Sequence, residues 1–134
     1  MDQMLKGGCH CRAVRYRISG EPVRAGLCHC SDCRGQSGAP VVGWVIFAQD
    51  QLASTGEVAT YASSEHGRRQ FCPRCGTGLF YRNEEIFAGL VDVQIATLDE
   101  PDAVAPVEQI QLAERIGWMA TAHLLPGHER FPDV

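Results

Sequence analysis

The sequence predicts a mainly-β domain that carries only short helical turns and is organised by cysteine clusters. Three observations lead there. Segments rich in β-branched and aromatic residues are short and bounded by turn residues. No long helical stretch separates them, as a parallel sheet with crossover helices would require. Seven cysteines fall into three tight groups, which suits a chain tied together through metal. At 134 residues the chain is the size of one ordinary domain, so 1–134 is read as a single unit.

The elements follow in order. Ala13 to Ser19 alternates, with Val14, Tyr16 and Ile18 on one face and Arg15 and Arg17 on the other, and breaks at Ser19-Gly20-Glu21-Pro22. Val23 to Leu27 is a second strand running into a cysteine cluster. Ser31 to Ser37 is polar and ends at Gly38-Ala39-Pro40, which fits one or two helical turns. Val41 to Ala48 is a nearly continuous apolar run, the pattern of a strand buried on both faces. Ser54-Thr55-Gly56-Glu57 is a turn before a strand at Val58 to Ala62. Arg68 to Phe71 leads into the last cysteine pair. Leu79 to Tyr81 and Ile86 to Val91 flank Arg82-Asn83-Glu84-Glu85 and read as a hairpin. Leu98 to Pro106 is a loop, Val107 to Leu112 fits strand better than helix, and Pro126 to Val134 is an irregular tail.

A chain this long buries a core without needing staples merely to fold. Its formal net charge of −4 argues against a nucleic-acid partner, which wants a basic face. No apolar run approaches a membrane span of about 20 residues, and Met1 to Gly8 lacks the apolar core of a signal peptide. The expectation is a cytoplasmic, reducing location, where clustered cysteines signal metal or catalysis rather than disulfides. The odd number of cysteines would also leave a disulfide framework with an unpaired thiol.

The three groups are Cys9-His10-Cys11, Cys28-His29-Cys30-Ser31-Asp32-Cys33 and Cys72-Pro73-Arg74-Cys75-Gly76. In the last, Pro73 suits the start of a tight turn and Gly76 the left-handed residue that closes it, so both thiolates can grip one ion. This is the knuckle of zinc ribbons. A thioredoxin-like redox pair has the same spacing but opens a helix, whereas here Gly76-Thr77-Gly78 leads into a strand. A structural zinc takes four ligands. Cys9 and Cys11 could complete the knuckle, leaving Cys28, Cys30 and Cys33 together. Alternatively two cysteines of the triplet could complete it, stranding the third with Cys9 and Cys11. The first partition keeps each local cluster on one ion and is preferred.

The triplet then supplies three ligands. With an exchangeable fourth position it has the pattern of a catalytic zinc, and with His10, His66, His123 or His128 as fourth ligand it would be a second structural site. The open arrangement is favoured. Three thiolates soften the metal, so an incoming thiol is a better ligand than water. The expected chemistry is addition of a thiolate to a carbonyl, or its reversal by carbon–sulfur cleavage.

These motifs, in this order, resemble the glutathione-dependent formaldehyde-activating family, whose named activity is S-(hydroxymethyl)glutathione synthase. The resemblance runs from about Gly7 to Phe131 and includes Ser37-Gly38-Ala39-Pro40, Arg69, Arg115, Trp118 and Leu125-Pro126. It implies a β-tent fold with two Zn²⁺ per chain: a structural ion on Cys9, Cys11, Cys72 and Cys75, and a catalytic ion on Cys28, Cys30 and Cys33 that receives the glutathione thiol. Arg12 departs from the pattern, since many members have glycine there. Glutathione carries two carboxylates, for which Arg34, Arg68, Arg69, Arg74 and Arg82 are candidates. His29 and Asp32 are candidate proton carriers. The competing functions are a non-catalytic zinc-stabilised binding module and a sensor that loses zinc when the triplet is oxidised.

Overall fold

The computed structural model describes residues 4–133. Met1 to Gln3 of the expected domain, and Val134 at the end of the expected tail, lie outside the described residues. Strands β1 (Met4–Gly8), β2 (Arg15–Ser19) and β5 (Leu52–Thr55) form one antiparallel sheet in the order β1-β2-β5. A seven-stranded sheet holds β3 (Arg24–Cys28), β4 (Val42–Ala48), β6 (Ala59–Ala62), β7 (Gly67–Phe71), β8 (Gly78–Asn83), β9 (Leu90–Gln94) and β10 (Gln109–Ile110). Its order is β10-β3-β4-β9-β8-β7-β6, and only the β10–β3 pair is parallel. The single α-helix among the described residues, α1 (Ser31–Ser37), follows β3 directly. The mainly-β, single-domain architecture agrees with the sequence.

The core lies between the sheets. Leu5, Tyr16 and Ile18 of the small sheet meet Ala25, Val45, Phe47, Phe80, Val91 and Val93 of the large one. The Tyr16 and Phe80 rings meet edge to face at 5.5 Å, a favoured aromatic geometry. The apolar run through β4 has a direct cause: β4 lies between β3 and β9, and side chains on both its faces pack into buried clusters. Val45 and Phe47 enter the core, while Val42 and Trp44 point to the opposite face, against Cys28 and Cys33. That opposite face carries the candidate site.

Several elements differ from their sequence-based bounds. β1 and β5 carry few buried apolar side chains (exposure patterns of edge strands) and give weak alternation; the expected turn at 54–57 begins inside β5, whose Ser54 and Thr55 pair with Tyr16 and Arg15. The second arm of the hairpin starts at Leu90 rather than Ile86. Asn83 Oδ1 accepts from the Glu85 and Ile86 amides at 3.1 and 3.3 Å, and its carbonyl accepts from Phe87. These bonds hold Ile86 and Phe87 in the turn. Of 107–112, only Gln109–Ile110 is strand, and Leu112–Glu114 is a 3₁₀ turn. A longer 3₁₀ stretch covers Gly117–Leu124, and residues 126–133 hold no helix or strand.

Candidate metal centres

The sulfurs of Cys9, Cys11, Cys72 and Cys75 all lie within 4.8 Å of one another. Cys9 and Cys11 sulfurs are 3.6 Å apart, and those of Cys11 and Cys72 are 3.7 Å apart. Four Zn–S bonds of about 2.3 Å in a tetrahedron put sulfurs ~3.8 Å apart, so the donor set fits zinc in kind and spacing. Backbone amides point at the sulfurs, as thiolates require: Val14 donates to Cys9 at 3.2 Å, and Arg74 and Cys75 donate to Cys72 at 3.4 and 3.5 Å. Gly76 closes the knuckle at φ +82°. The Thr77 hydroxyl and amide draw the Cys75 thiol down to about 5. Arg12 sits at φ +68° between the two N-terminal cysteines and β2. That conformation favours glycine, the residue expected at this position from the resemblance.

The second centre is built at the end of β3. Cys28 ends the strand, Cys30 caps α1, and Cys33 lies in its first turn, so the three sulfurs converge within 4.8 Å. Cys33 Sγ stands 3.7 Å from Cys28 Sγ, and Cys30 Sγ accepts from the Cys33 amide at 3.2 Å. Among the described residues, no histidine, aspartate or glutamate joins either cluster. The Cys33 thiol is lowered to about 5, first by hydrogen bonding with Cys28, and further by Cys30 and the Arg69 guanidinium. The same bond and burial push Cys28 up.

Arg69 was one of five candidates for holding a substrate carboxylate. Instead it is buried, with both terminal nitrogens 3.7 Å from Cys33 Sγ and its guanidinium 4.8 Å over the Tyr81 ring. A buried cation there offsets the negative charge of a three-thiolate ion. Arg34 donates to the carbonyls of His29 and Glu114, Arg68 to those of Ser64, Glu65 and Gly67, and Arg82 to Gln70 Oε1. These arginines serve the protein's own backbone and side chains. His29 points away from the triplet: its Nε2 is 2.8 Å from Gln109 Oε1.

A cleft of about 250 Å³ opens onto the triplet. Cys28, Cys30, Cys33 and the exposed Asp32 line it, with Trp44, Ile46, Tyr81 and Phe87 as apolar walls. Arg24 and Glu108 also line it, joined by two hydrogen bonds, one of 2.8 Å. Asp92, missed from sequence, lies in the same cleft. Burial raises its carboxyl to about 7, and the Cys33 charge adds to this while Arg69 opposes it. Its signal was a single acid between Val91 and Val93, hidden because the strand was read as ending at Val91.

The fold and site define a β-protein with a four-thiol cluster tying the small sheet to the large one and a three-thiol cluster on a cleft wall. The chain belongs to the family described as glutathione-dependent formaldehyde-activating enzyme, which matches residues 4–114. It is 28% identical over 111 residues to an uncharacterised lyase of Schizosaccharomyces pombe, covering 72% of this chain and 81% of that one. It is 32% identical over 92 residues to a Halomonas elongata protein provisionally named for glutathione-dependent formaldehyde activation, covering 58% of this chain and 55% of the relative. A solved Rhodobacter sphaeroides structure shares the fold, with a TM-score of 0.59 at 23% identity, covering 78% of this chain and 98% of that one. The family match and the lyase name of the yeast relative support a lyase-type enzyme.

Proposed function

We propose that the protein is a zinc-dependent carbon–sulfur lyase or synthase acting in the cytoplasm on a thiol–aldehyde adduct, with glutathione and formaldehyde as the reference pair. Cys9, Cys11, Cys72 and Cys75 hold a structural ion, and Cys28, Cys30 and Cys33 hold a catalytic one, within a single domain spanning 1–134. The observation that carries this reading is a three-sulfur cluster without a fourth protein donor among the described residues, on the wall of a cleft of about 250 Å³. Zinc bound there supplies a soft Lewis acid that holds an incoming thiol as its thiolate.

The remaining work falls to the chain. Cys28, Cys30 and Cys33 leave one face of the cluster toward the cleft. Arg69 lends that cluster a fixed positive charge. Trp44, Ile46, Tyr81 and Phe87 surround the carbon side of the adduct and limit water, which strengthens the electrostatics inside. The test is zinc analysis followed by exchange NMR of glutathione with formaldehyde. Two zinc ions per chain and protein-accelerated exchange support the proposal. Fully loaded protein that leaves the exchange at its uncatalysed rate with every thiol–aldehyde pair tried overturns it.

A further inference from the structure

Resting on the lyase reading above, we infer that Asp92 is the catalytic residue that accepts the hydroxyl hydrogen of the adduct as the carbon–sulfur bond breaks, and returns it as the bond forms. Asp92 belongs to a cross-strand row on the cleft face of the large sheet. Arg69 pairs with Tyr81, Tyr81 with Asp92, Asp92 with Ile46, and Ile46 with Arg24. The cysteine cluster faces the same row from β3 and α1, and the cleft contains both.

Most other polar groups near the cleft are engaged with protein partners or face solvent. Glu108 is joined to Arg24 by two hydrogen bonds. The Tyr81 hydroxyl accepts from Asn83 Nδ2 at 3.0 Å. Arg69 lies on Cys33, with both terminal nitrogens 3.7 Å from its sulfur. Asp32 is exposed at the start of α1, and His29 turns to Gln109. Among the described residues the Asp92 carboxylate makes no hydrogen bond, although the residue is half-buried in the cleft wall. A carboxylate in that state wants a donor, and a bound adduct brings one, its hydroxyl. The charged groups facing Asp92 are Arg69 from β7 and Cys33 from α1, with Tyr81 beside it on β8.

The step balances without a further reactant. In R–S–CH(OH)–R′, the hydroxyl hydrogen passes to the Asp92 carboxylate as a proton. The O–H pair becomes the carbonyl π bond, the C–S bond breaks, and its electron pair leaves with sulfur as thiolate. The aldehyde departs, and the reverse sequence makes the adduct. General acid–base transfer of this kind contributes about 10²–10⁴-fold to a rate.

The experiment is exchange NMR between glutathione and its hydroxymethyl adduct across pH, on zinc-loaded wild type, Asp92→Asn and Asp92→Glu. The expected result is a fall of about 100-fold in kcat for Asp92→Asn. KM should stay within about threefold, zinc content should be unchanged, and the pH-dependent limb of kcat should disappear. Asp92→Glu, which keeps the carboxylate, should recover part of the rate and the limb. A variant Asp92→Asn with wild-type kcat and pH profile overturns the inference alone. So does one whose rate loss tracks lost zinc and is not recovered by Asp92→Glu, which marks a structural role. Loaded wild type that is inactive on every adduct overturns the lyase reading, and this inference with it.

Discussion

Arg69 directs both terminal guanidinium nitrogens at Cys33 Sγ, each at 3.7 Å, from the same sheet face that carries Tyr81. The Arg69 side chain reaches from β7 to a cysteine of α1 while lying over the ring of its cross-strand neighbour Tyr81. The contact joins the knuckle's lead-in strand to the three-cysteine cluster, two regions far apart in sequence.

Replacing Arg69 by Gln should weaken metal at the triplet by about 10–100-fold, the usual cost of losing a group behind a metal ligand. Arg69→Lys should fall between, because an ammonium cannot fork onto sulfur while stacking on Tyr81. Zinc release to a competing chelator measures this. Loss of both ions together would show that the arginine serves the fold rather than the cluster.

The two clusters should fail differently. Cys72→Ser removes a ligand that is fully buried in the core and ties the seven-stranded sheet to Cys9 and Cys11. It should lower the melting temperature sharply and prevent structural zinc from binding. Cys30→Ser, at the half-buried helix cap, should leave the fold intact, remove about one zinc per chain and abolish activity. Thermal melts with metal analysis on both variants separate these outcomes.

The two left-handed residues near the four-cysteine cluster give opposite expectations. A Cβ at Gly76 would meet nothing within 4 Å, so Gly76→Ala costs only its φ of +82°, about 1 kcal/mol. Arg12→Gly relieves the same strain but frees the unfolded chain, and should change stability by less than about 1 kcal/mol. Denaturant midpoints on the metal-loaded protein check both.

Asp92 also sets a pH dependence in the metal-free protein. Its carboxyl is raised from 3.8 to about 7 on folding, chiefly by burial. The folded state therefore binds the proton more tightly. That stability is complete below pH ~4 and is lost as pH rises through ~7. Asp92→Asn lacks this loss, so its stability relative to wild type should improve between pH 4 and pH 7. Cys33 and Cys75, both lowered to about 5, act in the opposite direction in both proteins and largely cancel in the comparison.

Much of the site was legible because cysteine spacing encodes local geometry. Pro73 and Gly76 describe the knuckle turn, and Ser31 through Ser37 describe a short helix. β4 was legible because burial on both faces leaves a continuous apolar run. Edge strands β1 and β5 were not, since their side chains are half exposed and their pairing comes from distant partners. The hairpin bound failed because Asn83, a single side chain, captures two amides and extends the turn. The roles of Arg69 and Asp92 were hidden for a related reason. Their proximity to Cys33 comes from strand register across β7, β8 and β9, which no local pattern in the chain announces. The contacts of Arg34, Arg68 and Arg82 with carbonyls and side chains of the protein were not legible because those partners are brought near only by folding.

The central claim is that the three-cysteine cluster keeps a position open for a thiol. X-ray absorption at the zinc edge, on protein loaded with two ions per chain, tests it most directly. The expected mean is about 3.5 sulfurs per zinc without ligand, rising to about 4 when glutathione is added. A mean of about 4 sulfurs before glutathione, unchanged by it, would contradict the claim, as would a mean that stays at about 3.5 in saturating glutathione.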